Sequence, residues 1–218
     1  MAKSVVFDLD GTILDTITTI TYYVNKTLDL EGLSHITEDE CKYYAGNGAY
    51  KLIERTLGSK GITDEREVLR ILEIYKGLYD AEPLYLTKVF PGMKETLLKL
   101  KEAGYLLGVA SNKPDTAAAP TVYHFFDNIF DAVSGALDGV ACKPDPALVN
   151  IILERLGSTP EECIYVGDTS VDMETGKNLG AKKKIGCLWG FRTKEELVTS
   201  GADAVVSGMD ELYREITE

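Results

Sequence analysis

Asp8 and Asp10 sit two residues apart in FDLDGTILD (7–15), where the apolar run Ser4–Asp8 ends. In an extended segment, side chains two apart share a face, so both carboxylates address one site. Gly11 then permits a tight reversal of the chain. Alone, the pattern also describes an Asp–Gly turn closing a strand. A second acidic pair follows another apolar run, Cys163–Val166: GDTSVD (167–172) supplies Asp168 and, one helical turn later, Asp172. Carboxylates gathered in one crevice repel each other unless a cation sits among them. Hard oxygen donors with room for water and a substrate oxygen favour Mg²⁺.

Two further stretches bring positive charge and hydrogen-bond donors. Ser111–Asn112–Lys113 follows the run Tyr105–Ala110, and CKPDP places Lys143 before a Pro-initiated helix. A hydroxyl and neighbouring amides cradle a phosphoryl group, with Ser111 and Asn112 the candidates, and a lysine neutralises the charge that develops there. Lys143 alone would read as a solvated loop residue. Four motifs, each at the end of an expected strand, argue for a site, because open α/β sheets bind ligands at the carboxyl ends of their strands.

The elements that must hold these groups are legible as short apolar runs: Ser4–Asp8, Tyr105–Ala110, Ile129–Ser134, Cys163–Val166, Lys184–Leu188 and, more weakly, Ala204–Val206. Near-continuous Val/Ile/Leu/Phe is the mark of strands buried on both faces. Helical stretches separate them at Gly92–Ala103, Ala147–Leu156 and Asp172–Leu179, with Pro and Gly at their borders. The alternation predicts a doubly wound α/β core with a parallel sheet. Ordered 3-2-1-4-5, that sheet would make its first and fourth strands neighbours, bringing Asp8, Asp10 and Asp168 together. A helix after Ser111 must be kinked or interrupted at Pro120. Residues 16–84 show only helical periodicity, near 16–30, 37–45, 49–57 and 64–80. They predict an all-helical domain inserted into a core of residues 1–15 and 85–218, with hinges near Asp15–Thr16 and Glu82–Leu84.

The chain carries 23 basic and 35 acidic residues, a net charge of −12. Such a surface repels nucleic acid and anionic membranes. An anionic substrate would need the field inverted locally. No run reaches the ~20 apolar residues of a membrane span, and no leader precedes the first strand. Cys41, Cys142, Cys163 and Cys187 form no CxxC pair and read as isolated reduced thiols of a cytoplasmic protein. His35 and His124 read as surface or half-buried side chains.

In type and order these motifs resemble the haloacid dehalogenase superfamily of phosphohydrolases, across essentially the whole chain. The signature DxDG[TV], a Ser or Thr after the second strand, a Lys before Pro, and GDxxxD is matched throughout. The resemblance implies that Asp8 is the nucleophile and Asp10 the general acid/base. It implies Mg²⁺ held by the Asp8 carboxylate, the Asp10 backbone carbonyl and Asp168, with Asp172 in support. Ser111 and Lys143 would bind the phosphoryl group, and the helical insertion would be a cap. Within the superfamily the chain looks most like the bacterial phosphoglycolate phosphatases, through YAGNG (44–48), SNKP (111–114), GDTSVDMETGKNLG (167–180) and LWGFR (188–192). This implies a phosphatase working through an aspartyl-phosphate on a small phosphorylated metabolite, phosphoglycolate favoured, as a monomer or homodimer. A sugar phosphomutase, a pyrophosphatase, a broad sugar-phosphate phosphatase and a non-catalytic binding protein are the rivals. Gly46–Asn47–Gly48 is either a plain turn between cap helices or a reader of the leaving group. Lys51 and Arg55 are candidates for a substrate carboxylate. Trp189 and Phe191 read as packing.

Overall fold

The first strand, β1 (Ser4–Phe7), is buried along its whole length, as a strand covered on both faces must be. After it come β2 (Leu14–Asp15), α1 (Ile17–Leu30), α2 (Glu38–Tyr44), α3 (Gly48–Gly58), α4 (Glu65–Ala81) and β3 (Lys88–Val89). The remainder alternates: α5 (Met93–Glu102), β4 (Leu106–Pro114), α6 (Asp115–Phe126), β5 (Ala132–Ala136), α7 (Ala147–Leu156), β6 (Cys163–Gly167), α8 (Ser170–Leu179), β7 (Lys183–Cys187), α9 (Lys194–Thr199), β8 (Ala204–Val206) and α10 (Met209–Thr217). These assignments come from a computed structural model that describes residues 3–218.

Six strands form one parallel sheet in the order β5-β4-β1-β6-β7-β8. Successive side chains on a strand point to opposite faces. Val5 and Phe7 therefore pack with Met93, Leu97, Val122 and Phe126, while Val6 packs with Leu148, Ile152 and Tyr165. Helices cover both faces, giving a doubly wound core. The chain winds outward from β1 through β4 to β5, then resumes on the other side of β1 with β6. Between β1 and β6 the winding reverses, and a crevice opens at their carboxyl ends.

The chain divides into two compact units: residues up to Asp15 with Val89–Glu218, and Thr16–Lys88. The second holds α1 to α4. Two of its helices, α2 and α4, start on side-chain caps: Glu40 N–H donates to Thr37 Oγ1 while Thr37 N–H donates to Glu40, and Asp64 accepts from the N–H groups of Arg66 and Glu67. This unit runs past Leu84, where Pro83 suggests an exit. Thr19 Oγ1 donates to the Tyr85 carbonyl at 2.7 Å and meets Thr87 Oγ1 at 3.0 Å, which fastens residues 85–87 to α1.

One expectation is narrowed and another needs correction. Of the kink or interruption expected at Pro120, the interruption does not occur: α6 runs through that position as one helix. Proline there removes one backbone donor, while burial of Ala118, Val122 and Phe126 holds the helix on the sheet. The second core strand also continues beyond Ala110, so Ser111, Asn112 and Lys113 belong to β4 and not to a loop. Its pairing with β5 shifts register between Ala110 and Pro114. Among the described residues no helix is long and apolar enough to cross a membrane.

Candidate active site

The sheet register delivers the acidic groups to the crevice. Phe7 pairs with Val166, and Asp8 N–H donates to the Val166 carbonyl at 2.9 Å, so Asp8 emerges beside the end of β6. Asp168 leaves that end directly, and Asp172 follows on the first turn of α8. Ligand oxygens of Asp8, Asp168 and Asp172 lie within 4.8 Å of one another, and all three residues are buried. Lys143, from the segment between β5 and α7, reaches into the group. Its Nζ is 2.6 Å from Asp8 Oδ1 and 2.8 Å from Asp172 Oδ1. It also lies over the Tyr165 ring, 5.9 Å from the centroid.

Burial dominates the electrostatics. It pushes the Asp8 carboxyl up to about 7, against the pull of the Lys143 ammonium and with added repulsion from Asp172. Asp168 is raised for the same first reason, then by Asp172 and Asp8. For Lys143 burial acts downward, but the carboxylates of Asp172 and Asp8 hold it well above the ordinary lysine range. Asp172 is the most fully engaged. Its Oδ2 accepts from Thr169 N–H, Thr169 Oγ1 and Asp168 N–H while Oδ1 faces Lys143. Asp172 therefore orients Lys143 and anchors the start of α8.

Asp168 is enclosed by residues whose part the sequence did not disclose. Thr12 Oγ1 donates to its Oδ1 at 2.8 Å, and Phe191 N–H donates to its Oδ2 at 2.8 Å. Gly11 and Gly190 close in from two sides. A Cβ on either would stand 2.3 Å from Asp168 Oδ2, and Gly11 also has φ +88°. Trp189 packs against the core, as expected, but its Nε1 also donates to the Thr12 carbonyl, tying LWGFR to the DGT turn. The usable signal was position: LWGFR follows β7, the neighbour of β6, and so ends beside the same crevice.

On the other flank, Asn112 Oδ1 accepts from Lys143 N–H at 2.8 Å and its Nδ2 donates to the Lys143 carbonyl at 3.1 Å. The amide clamps the lysine's backbone, so Asn112 positions Lys143. Ser111 is buried, and its Oγ accepts from Lys113 N–H at 3.2 Å, leaving its O–H to donate. Asp10 keeps one buried oxygen, Oδ1, with no hydrogen-bond partner. Gly46, Asn47 and Gly48 belong to the helical unit, where Arg55 donates to the Tyr44 carbonyl and to Asn47 Oδ1. Lys51 pairs with Glu54 at 2.6 Å. Both cations proposed for a substrate carboxylate thus have partners on their own helices and turn.

The donor set fits a metal. Three carboxylates against one ammonium leave an excess of negative charge that a divalent cation would cancel. Binding must displace the proton that burial holds on Asp8 near neutrality. Affinity for a divalent cation is therefore expected to rise with pH up to about 7, as Asp8 gives up its proton, and to change less above it. Titration calorimetry in buffers of differing ionisation enthalpy should register proton release. Affinity flat from pH 5.5 to 8 would contradict this electrostatic picture.

Residues 5–184 match the family model described as haloacid dehalogenase-like hydrolase. The chain is 35% identical over 190 residues to the phosphoglycolate phosphatase of Aquifex aeolicus, covering 87% of this chain and 86% of that one. It is 30% identical over 216 residues to the enzyme of the same name from Haemophilus influenzae, covering 96% of each. Among solved structures, a provisionally assigned phosphoglycolate phosphatase of Lactobacillus delbrueckii subsp. bulgaricus superposes with a TM-score of 0.95 at 30% identity, covering 99% of each chain.

Proposed function

Because this chain belongs to the haloacid dehalogenase-like hydrolases and is a phosphatase of that family, we propose that it hydrolyses small phosphate monoesters, phosphoglycolate foremost, through a phosphorylated Asp8. The observation that carries this reading is the buried trio Asp8, Asp168 and Asp172 with Lys143 between two of its members, at the reversal point of the sheet.

Asp8 attacks phosphorus in line with the leaving oxygen. Mg²⁺, held by the carboxylates of Asp8 and Asp168 and the backbone carbonyl of Asp10, with Asp172 in support, would screen the repulsion between carboxylate and phosphate dianion. Lys143 and the Ser111 hydroxyl hold the phosphoryl oxygens and neutralise their charge. Asp10 donates a proton to the leaving alkoxide as the bond to phosphorus breaks. Now ionised, it takes a proton from the water that attacks the aspartyl-phosphate. Thr12, Gly190 and Phe191 keep Asp168 in place throughout. The helical unit, acting as a cap with Gly46–Asn47–Gly48 reading the leaving group, would exclude bulk water during turnover. The setting is cytoplasmic.

Changing Asp10 to Asn should lower kcat by roughly two to four orders of magnitude, leaving substrate affinity nearly intact. Normal multiple turnover in that variant would remove Asp10 from the mechanism. The function itself is tested by a panel of phosphoglycolate, pyrophosphate, hexose phosphates and p-nitrophenyl phosphate with Mg²⁺. The expected result is free phosphate, released most efficiently from phosphoglycolate. Isomerised sugar phosphate without free phosphate would mark a phosphomutase. Silence on every ester would mark a binding protein.

A further inference from the structure

At the end of β4 the structure holds a cation outside the phosphoryl cradle. Lys113 Nζ stands 3.6 Å from Asp10 Oδ1, the buried oxygen with no hydrogen-bond partner. At that separation the two form an ion pair without a hydrogen bond. The backbone N–H of Lys113 donates to Ser111 Oγ, so one stretch of strand fixes both the hydroxyl assigned to the phosphoryl group and this ammonium.

The location has a chemical consequence. If Asp10 protonates the leaving oxygen, the atoms attached to that oxygen arrive beside Asp10, and hence beside Lys113. In a chain of net charge −12, a second negative charge on the substrate needs a local counter-charge. In the phosphate ester of a short 2-hydroxy acid, the carboxyl carbon is only two bonds from the leaving oxygen, so its charge arrives close to that oxygen.

We propose that Lys113 is a specificity-determining residue whose ammonium pairs with a carboxylate on the leaving group, selecting phosphate esters of short hydroxy acids over those of neutral alcohols. The assignment rests on the phosphatase reading above and names the chemistry by which that site would choose its substrate.

The test compares phosphoglycolate with 2-hydroxyethyl phosphate, which keeps a primary alkyl leaving group and replaces the carboxylate by a neutral hydroxymethyl group. The wild-type enzyme should favour phosphoglycolate in kcat/KM. In Lys113→Met that preference should shrink by about 10- to 100-fold, the value of a charge-assisted contact, mostly through KM. Lys113→Arg should restore most of it and covers the case in which the Met variant does not fold. A wild-type ratio near one, or equal losses on both esters in Lys113→Met, overturns the proposal while leaving the phosphatase reading intact. A wild-type enzyme that releases phosphate from neither ester defeats the phosphoglycolate reading, and the role of Lys113 with it.

Discussion

Asp8→Asn is expected to abolish turnover, by at least roughly four orders of magnitude, in a protein that folds as well as the parent. The geometry argues for both halves. The side chain is nearly isosteric, yet an amide cannot become the acyl-phosphate. Stability should not suffer, because burial already disfavours the charged carboxyl, whose pKa lies near 7. A folded-state pKa above the unfolded value means the native state binds the extra proton. This group therefore costs metal-free protein stability as pH rises from about 4 through 7. Asparagine removes that cost, and Lys143 keeps Asp172 as its partner at 2.8 Å. Without metal at pH 8, the variant's Tm should equal or exceed that of the wild type. A lower Tm would count against the burial cost assigned to the Asp8 carboxylate, and turnover near the parent's would count against Asp8 as nucleophile.

The second large effect is Lys143→Met, and here stability and activity should fall together. The ammonium is buried between two carboxylates. Removing it leaves uncompensated buried charge, which costs about 3–5 kcal/mol. Without its pull, the Asp8 carboxyl rises further above its unfolded value, so the loss should be greatest at pH 8 and should shrink toward pH 5.5 as the carboxyls take up protons. Urea melts at the two pH values measure this directly, and equal destabilisation at both would refute it. Activity should drop by about 100- to 1000-fold through lost phosphoryl charge stabilisation.

The parts of this site legible in the sequence were those carried by side-chain type at a strand end. Asp8 and Asp168 could be named because buried apolar runs ended beside them, Asp172 because it follows Asp168 by one helical turn, and Lys143 because it precedes a Pro-initiated helix; the expected strand order made the meeting of Asp8 and Asp168 geometric. The sheet has that order, extended by β8 at one edge. The enclosure of Asp168 was not legible. A backbone N–H, such as that of Phe191, has no side-chain identity, and Gly190 looks like any turn glycine until its neighbour is known. The grip of Asn112 on Lys143 was hidden for a related reason. Its amide suits a phosphate oxygen and a peptide group equally, and the approach of the Lys143 segment leaves no local trace in the sequence. The end of the helical insertion was read early because Pro83 is a conspicuous punctuation mark, while the hydrogen bonds from Thr19 that bind residues 85–87 leave no local trace.

The central claim is that the phosphoryl group passes through the side chain at position 8. Rapid acid quench of enzyme, Mg²⁺ and ³²P-labelled phosphoglycolate, followed by borohydride reduction and peptide mass spectrometry, reads that directly. The account predicts label on the FDLDGTILD segment of the quenched protein, and homoserine in place of Asp8 after reduction. Burst release of phosphate with position 8 unmodified at every time point would show that water attacks the substrate directly, and would contradict it.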